Sequence, residues 1–342
     1  MPTARDIAVI GWAQTPMVRN TDLTETQLLM RAITDAITPL GLTRADIDFT
    51  CLGSCDYITG QAFSFVSNLD AIGAWPPKRD SHVEMDGAWA LYEAWLRLHE
   101  GDIDIAVVTG SGRSSTGDPE LIYPMEMDPF FLAPLGADPL TFAALQARAV
   151  IAAGIADERT MAEVSVRSRG KGDVDTLLAN DYVREPLRRH DLPPITDGAA
   201  AMVLAVGRRA RDLVDRPAYI TGFDHRTECH NPSFRRLDDA PSVRIAAAAA
   251  GLADGPPVEV AELQAAFTHE ELLLRHVLDL GDEVAVNPSG GALRSNPIMA
   301  TGLCRIGYAA DHIFGGGRRA LAHSTSGPCL QQNLVCIVED RS

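Results

Sequence analysis

Two carboxylates, Glu84 and Asp86, occupy the point at which a strand-like segment enters a helix predicted to run through Leu98. An aspartate at a helix start accepts hydrogen bonds from unpaired backbone N–H groups, so helix capping is one interpretation of the pair. Acid–base chemistry is the other, because carboxylates with shifted pKa values cluster at functional sites. The residue types alone leave both interpretations open.

Tyr57, together with Asp56, directly follows a strand predicted over residues 49–54. Ligands bind at the carboxyl ends of strands in open α/β sheets, so Tyr57 is a candidate for substrate contact. A polar loop with a half-buried tyrosine is the alternative.

A second polar group lies near the C-terminal end of the sequence. A strand predicted to begin at Arg319 leads into a tight loop at residues 323–327, and a further strand follows. His323, with Ser324 or Ser326, supplies the side chains of this loop that we expect to face a pocket.

The cluster His225, Glu228, Cys229 and His230 contains residue types that bind metals. Its spacing fits no metal-site pattern, so we interpret it as a polar loop and predict no metal site. The basic run at residues 167–171 has two interpretations, contact with phosphates and an ordinary solvated face.

The segment at residues 287–302 combines Gly290, Gly291, two prolines and several small residues, and a helical pattern follows it. Small residues allow the backbone to approach another loop or a ligand closely. A glycine-rich turn at the start of a helix is the simpler interpretation.

The composition excludes several classes of function. The net charge of −16 argues against non-specific binding to nucleic acid or to an anionic membrane, since both need a basic face, but it leaves room for a local basic pocket. The apolar runs are far too short to cross a membrane. The six cysteines form no regular framework and no signal peptide is recognisable, so we expect reduced thiols and a cytoplasmic location.

Hydrophobic patterning places the main elements. We predict strands at residues 6–11, 49–54, 104–110, 202–206 and 218–223, helices at residues 24–40, 142–153 and 245–252, and a turn at residues 12–16. Phe63, Phe65 and Trp75 are expected in the core or in a subunit interface.

Three segments resemble the thiolase superfamily, especially its SCP-x-like lipid-transfer protein branch. Residues 287–302 look like the signature N-P-S-G-G-x-x-x-x-G-H-P-x-G-A-T-G, and residues 258–272 look like V-E-x-H-D-C-F-S-x-N-E-L. Residues 186–201 are similar to the stretch that ends in P-I-S-D-G-A-A-A. The resemblance covers essentially the whole sequence.

The resemblance implies an α/β protein with the thiolase fold. Two similar β-α-β-α-β halves would form a five-layer α-β-α-β-α core. We expect the N-terminal half, with a loop excursion, at residues 1–215 and the C-terminal half at residues 216–342.

The sequence departs from the family where thiolases carry their nucleophilic cysteine, at a strand-to-helix turn. No cysteine occurs between Cys55 and Cys229. The position falls on Glu84 or, after a small shift, on Met85 or Asp86, and none of these side chains can form a thioester.

Other family positions are also changed. The catalytic histidine of the signature falls on Asn296, and a histidine that helps to build an oxyanion hole falls on Gln264, whose amide can still donate a hydrogen bond. His269, expected on a helix surface, is a spare acid–base candidate. Gly291 is expected at the substrate. Cys329 lies just past the loop in which thiolases carry a second cysteine.

Without a cysteine, the acyl group cannot be held as a thioester on the protein. An oxyanion hole can still stabilise a thioester enolate, which is what a retro-aldol cleavage requires. The resemblance is greatest to actinobacterial lipid-transfer proteins implicated as steroid-CoA aldolases. It therefore implies a carbon–carbon lyase for a β-hydroxyacyl-CoA, such as a sterol side-chain thioester. A non-catalytic acyl-CoA-binding subunit and a different condensing or acyl-transfer enzyme are the alternatives.

Under this interpretation the base is Asp86, Glu84 or His323. Substrate contacts would come from Gln264, Asn296, His269, Ser324, Ser326, Gly291 and Tyr57. Coenzyme A is part of the substrate, and no tightly bound cofactor is expected. The resemblance also implies a small OB-fold partner that completes the acyl-CoA site, and a homodimer or a heterodimer with a second thiolase-like chain.

Residues 123–139 are rich in proline, methionine and phenylalanine and lack periodicity. Their large apolar side chains are Met125, Met127, Phe130, Phe131 and Leu135. These side chains suit a bulky apolar substrate, a packed irregular loop or a dimer contact.

Overall fold

The computed structural model describes residues 6–60, 62–73, 77–125 and 127–341. Its strands are β1 (Ile7–Gln14), β2 (Phe49–Gly53), β3 (Arg79–Val83), β4 (Ile105–Arg113), β5 (Tyr182–Arg184), β6 (Leu187–Arg188), β7 (Asp197–Val206), β8 (Ala218–Thr227), β9 (Val260–Leu263), β10 (Ala285–Val286), β11 (Arg319–Ser326) and β12 (Gln332–Glu339). Its helices are α1 (Glu25–Ile37), α2 (Asp56–Thr59), α3 (Ser64–Ile72), α4 (Gly87–His99), α5 (Pro119–Met125), α6 (Pro139–Ala152), α7 (Glu158–Arg169), α8 (Val174–Leu178), α9 (Gly207–Leu213), α10 (Pro241–Ala249), α11 (Thr268–Val277), α12 (Gly291–Arg294) and α13 (Thr301–Phe314). None of these helices is long and apolar enough to cross a membrane.

The sheet contains the same strand arrangement twice. One half has the order β3-β2-β4-β7-β1 and the other the order β10-β9-β11-β12-β8. In each half the first three strands are parallel and the last two pairings are antiparallel. The halves join where β1 pairs with β8, at Ala8 with Tyr219 and Val9 with Ala218.

Helices cover both faces of each half-sheet. Helices α4 and α13 share one apolar core with strands from both halves, so they form the central layer. Helix α1 packs on the outer face of the first half, and α10 and α11 pack on the second. The layers are therefore α-β-α-β-α, and the predicted two-half thiolase fold is confirmed. The exact division after residue 215 stays a prediction.

Local signals explain why helix α1 forms where the pattern places it. Thr24 caps the helix and Gln27 returns the hydrogen bond, which satisfies two backbone N–H groups. The apolar face repeats at helical spacing and is buried. A short 3-10 turn at Thr38–Leu40 follows, and Gly41 ends it in the left-handed region.

Two sequence-based expectations are wrong. The turn at residues 12–16 is in part strand, because Trp12 to Gln14 pair with β7. The loop at residues 323–327 is mostly strand, because β11 pairs with β9 through His323 and with β12 through Ser326. Phe63 is 70% exposed, so it lies outside the core of this chain, and its place in a subunit interface stays a prediction.

Two neighbouring expectations have different outcomes. Phe65 packs against the core that includes helix α1, as expected. Trp75 lies outside the described residues.

Candidate active site

The site is built around the buried carboxylate of Asp86, which caps two helices. One carboxylate oxygen accepts the N–H of Ala88 at the start of α4 at 2.9 Å and the N–H of Leu303 in α13 at 3.0 Å. The other accepts the N–H of Gly302 at 3.0 Å. Burial raises the pKa of Asp86, while these three N–H groups and the Arg305 guanidinium oppose the rise. Asp86 therefore holds the two central helices together at their N-terminal ends.

Glycines on β4 allow the segment before α13 to lie against the sheet. A Cβ at Gly112 would come within 1.9 Å of the Ile298 carbonyl oxygen, and one at Gly110 within 2.3 Å of the Met299 carbonyl oxygen. The Met299 carbonyl accepts the N–H of Gly87 at 2.9 Å. Met299 has a φ of 78°, a rare value for a bulky residue, so the close approach holds the backbone in a strained form here.

Gln264 has a fixed orientation. Its Oε1 accepts the Ser324 hydroxyl at 2.6 Å and the backbone N–H of Thr325 at 3.2 Å. Because a backbone N–H can only donate, the oxygen must face Thr325 and the Nε2 amide must face the other way. Nε2 has no hydrogen-bond partner among the described residues. Gln264 therefore offers two N–H donors to the space beside it.

Asn296 brings a second amide to the same space. The side-chain Oδ1 of Asn296 lies 2.9 Å from the Thr301 hydroxyl oxygen. The backbone N–H of Asn296 donates to the Thr196 hydroxyl at 2.8 Å. The Thr301 hydroxyl also lies 2.9 Å from the Pro297 carbonyl and has only one proton to share between them. The described contacts fix the position of the Asn296 amide but leave either end of it free to face the substrate.

Asp86, Gln264 and Asn296 meet at a small cavity of roughly 200 Å³, which we name the inner cavity. Its other lining residues are Ile58, Tyr123, Met127, Pro139, Ala143, Ala266, Phe267, Glu270, Ile298, Met299, Thr325, Ser326, Gly327, Pro328 and Cys329. This cavity brings together residues from both halves of the fold. It is the region in which polar donors and carboxyl groups converge.

A wider cavity of roughly 670 Å³, the outer cavity, adjoins the inner one and shares Met127, Met299 and Ser326 with it. Tyr57 and Glu84 line only the outer cavity. The remaining lining residues are Cys55, Met85, Met125, Asp128, Pro129 and His230. The methionines give part of this lining an apolar and adaptable surface, beside polar side chains such as Glu84 and Asp128.

Glu84 is engaged at the rim of the outer cavity. Its Oε1 accepts the backbone N–H of Asp56 at 2.5 Å, and its Oε2 lies 3.4 Å from the ring of His82. Its side chain is 44% exposed. Glu84 and Asp86 therefore face different environments despite their proximity in sequence.

Within the described part of the chain, four predicted site residues lie outside the lining of both cavities. His323 is fully buried, and its Nε2 is hydrogen-bonded to Asn333 Oδ1 at 3.0 Å. Burial lowers the pKa of His323 to about 4. Ser324 is also fully buried and orients Gln264 instead of facing the substrate space. Gly291 begins α12 with a φ of 62°.

The fourth of these residues, His269, was expected on a helix surface, and that expectation is wrong. Its ring is fully buried between α11 and α6, 3.3 Å from Gln146 Oε1. Burial lowers its pKa to about 3, so the ring is neutral near pH 7.

Sequence reasoning missed three polar groups of the inner cavity: Tyr123, Glu270 and Cys329. Cys329 was placed outside the site, yet its thiol lies at the cavity wall, 3.4 Å from the Phe142 carbonyl oxygen to which it donates. Burial raises the pKa of this thiol to about 12. The signal for Glu270 was its position six residues after Gln264 in the segment 258–272, in the first turn of a helix.

No cluster of three or more metal-binding side chains is present in the described ranges. The predicted polar loop at residues 225–230 begins instead within a strand, since β8 runs to Thr227.

Comparison with known proteins shows similarity along nearly the whole chain. The chain is 26% identical to an acetyl-CoA acetyltransferase of Methanothermobacter thermautotrophicus, over 92% of this chain and 93% of the relative. It is 24% identical to an acetyl-CoA acetyltransferase of Methanocaldococcus jannaschii, over 89% and 88% of the two chains. No family model matches the sequence.

Solved structures with the same fold include human mitochondrial 3-ketoacyl-CoA thiolase, with a TM-score of 0.81 and 14% identity over 99% of this chain and 100% of that chain. They also include an aldolase described as Ltp2-ChsH2(DUF35), with a TM-score of 0.78 and 19% identity over 98% of each chain. The protein has the thiolase fold, and its similarity to the two acetyl-CoA acetyltransferases supports its place in the thiolase superfamily.

Proposed function

We propose that the protein is an acyl-CoA carbon–carbon lyase, or a subunit of one. It cleaves a β-hydroxyacyl-CoA by a retro-aldol reaction, without a cysteine-bound intermediate. Similarity to the acetyl-CoA acetyltransferases supports acyl-CoA chemistry, and the shared fold with the Ltp2-ChsH2(DUF35) aldolase is compatible with cleavage. Coenzyme A enters as part of the substrate.

The observation that carries this proposal is the state of the one cysteine in the described lining of the inner cavity. Burial raises the pKa of the Cys329 thiol to about 12, so the neutral thiol is its main form at pH 7. The thiolate is the nucleophile in covalent acyl transfer, so this cysteine is a poor acyl acceptor. The helix start that could activate a thiolate instead carries the carboxylate of Asp86.

The Gln264 amide supplies what a retro-aldol cleavage needs. When the carbon–carbon bond breaks, its electron pair moves toward the thioester and leaves negative charge on the carbonyl oxygen. A fixed N–H donor aimed at that oxygen stabilises the developing charge by about 3 kcal/mol. Ser324 and Thr325 hold the amide in place before the substrate arrives, so no reorganisation is required during the reaction.

The outer cavity is the proposed route for the acyl chain. Its methionines fit a bulky apolar group, such as a sterol side chain, that reaches the inner cavity past Met127 and Met299. Both interpretations of the basic run at residues 167–171, contact with phosphates and a solvated face, stay open. One of its residues, Arg167, is paired with the buried Glu271.

We also propose that the protein acts in the cytoplasm with partners. A small OB-fold protein would complete the acyl-CoA site, and the chain would pair with a second copy or with another thiolase-like chain. The aldolase of similar fold is named with a DUF35 component, which supports a partner of this kind. Met125, Phe130 and Phe131 are 66%, 79% and 72% exposed, so a partner would cover apolar surface there.

Acyl transfer is the second candidate, and the names of the two curated relatives favour it. A non-catalytic subunit that binds acyl-CoA for an active partner is the third. Both predict no release of a ketone or an aldehyde by this chain itself.

The test is incubation with a panel of β-hydroxyacyl-CoA thioesters, with and without co-purified partner proteins. Release of a ketone or aldehyde together with a shortened acyl-CoA supports the lyase. Tight acyl-CoA binding without turnover supports the non-catalytic subunit. Exchange of acyl groups between CoA thioesters, without a released carbonyl compound, supports acyl transfer.

A further inference from the structure

Glu270 is a buried carboxyl group at the wall of the inner cavity, in the first turn of α11. Its Oε2 accepts the backbone N–H of Ala266 at 2.8 Å and that of Phe267 at 3.1 Å. These two bonds fix the carboxyl group and cap the helix. Its Oε1 has no hydrogen-bond partner among the described residues, so one oxygen remains free for a ligand in the cavity.

The surroundings of Glu270 are poor in compensating charge. Asp86, Tyr123 and Cys329 line the same cavity, and Arg235 donates hydrogen bonds to the backbone carbonyls of Cys329 and Pro328. His269 and Glu271 are the neighbours of Glu270 on α11, and the charge of Glu271 is paired with Arg167. Burial is therefore the main influence, and it raises the pKa of Glu270 to about 7 against the opposing backbone N–H groups.

We propose that Glu270 is the proton-transfer group of this site, an inference that rests on the retro-aldol function proposed above. The anchored carboxylate has one oxygen free in the cavity that holds the Gln264 amide, so it can reach the β-hydroxyl of a substrate whose thioester oxygen meets that amide. By contrast, Asp86 already accepts three backbone N–H groups, and Glu84 lies in the outer cavity.

The proposed step is balanced in protons and electrons. Ionised Glu270 takes the proton of the β-hydroxyl, the β-carbon becomes a carbonyl, and the α–β bond breaks. The electron pair of that bond forms the thioester enolate, whose oxygen receives hydrogen bonds from Gln264. Glu270 then returns its proton to the α-carbon, which gives the shortened acyl-CoA and restores the carboxylate. No oxidant, reductant or further reactant is needed.

Glu270→Gln tests this role because glutamine keeps an oxygen that can accept the two backbone N–H groups, whereas it cannot take a proton. With a β-hydroxyacyl-CoA that the unaltered protein cleaves, we expect kcat to fall about 10²- to 10⁴-fold, with little change in the affinity for acyl-CoA. In the unaltered protein, kcat should rise with pH to a plateau above about 7, and Glu270→Gln should lose this rise. Asp157→Asn is the matched control, since Asp157 also caps a helix start, at α7, and lies away from both cavities.

A second readout follows the proton directly. Acetyl-CoA and propionyl-CoA, incubated with the protein in D₂O, should gain deuterium at the α-carbon, and Glu270→Gln should abolish this exchange. Cleavage and exchange that both persist in a folded Glu270→Gln variant would overturn the role of Glu270 and leave the lyase proposal standing. Exchange that depends on Glu270, with no β-hydroxyacyl-CoA cleaved, would overturn the lyase proposal and retain the proton-transfer role.

Discussion

Gly302, in the first turn of α13, lies against the hydrogen bond that orients the Gln264 amide. A Cβ at this position would lie 1.9 Å from the Ser324 hydroxyl oxygen, 2.7 Å from Asp86 Oδ1 and 2.8 Å from Gln264 Oε1. Each distance is well inside van der Waals contact. Gly302→Ala must therefore displace the Ser324 hydroxyl, which is one of the two donors that orient Gln264.

The expected magnitude has three contributions. Alanine favours the helix by about 1 kcal/mol over glycine. Overpacking a buried site costs about 1–3 kcal/mol, and the broken hydrogen bond between Ser324 and Gln264 costs about 1 kcal/mol more. The net loss of stability is about 1–3 kcal/mol, whereas a misaimed oxyanion donor lowers kcat by about 10²- to 10³-fold. Catalysis should therefore suffer far more than folding.

Gly307→Ala provides the matched control on the same helix. Its Cβ would meet the Trp12 ring at 2.3 Å, so the substitution imposes a comparable clash away from the inner cavity. Urea denaturation should show that both variants lose stability, and steady-state cleavage assays should show that only Gly302→Ala loses kcat per mole of folded protein. Equal losses of kcat in the two variants, or an unchanged kcat in Gly302→Ala, would refute the role of the fixed Gln264 amide.

Three further predictions follow from the buried groups. Asp86→Ala should lower the free energy of unfolding by about 2–4 kcal/mol in urea denaturation, because it leaves two buried helix starts uncapped; a loss below about 0.5 kcal/mol would contradict the double cap. For Glu270, burial raises the folded-state pKa from 4.5 to about 7, so the folded state binds a proton that the unfolded state releases, and stability falls as the pH rises through this window. Glu270→Gln should therefore be more stable than the unaltered protein at pH 8, by up to roughly 3 kcal/mol, and no more stable at pH 4; a pH-independent difference would count against the raised pKa. Iodoacetamide at pH 7.5 should modify the exposed Cys229 while the buried, protonated Cys329 stays unmodified in peptide mass spectra, and rapid modification of Cys329 would contradict its raised pKa.

The fold could be predicted where its signals are local or repeated. The period of α1 and the apolar run of β1 follow from residues that are neighbours in sequence. The end of β1 was missed because the pairing of Trp12 to Gln14 depends on β7, almost 190 residues away. In the same way, the polar residues at 323–326 are typical of a loop in the sequence, and only their pairing with β9 and β12 makes them a strand.

The candidate site residues also divide into those with a local sequence signal and those that only the packing brings to the site. Gln264 and Asn296 fall on motif positions and Asp86 falls on one after a small shift; the structure brings all three to one cavity, and their roles stay predictions. Glu270 was missed because a glutamate in the first turn of a helix is ordinary in sequence. Only the packing of α11 under the inner cavity makes its carboxyl group buried, anchored and free at one oxygen.

The central claim is that carbon–carbon cleavage proceeds without an acyl group on the protein. Intact-protein mass spectrometry during turnover of a β-hydroxyacyl-CoA tests it most directly, with the released carbonyl compound and acyl-CoA followed in the same sample. We predict that a ketone or aldehyde and a shortened acyl-CoA accumulate while the mass of the protein stays unchanged. An acyl adduct on Cys329 or another cysteine that forms and decays at the rate of turnover would contradict the account.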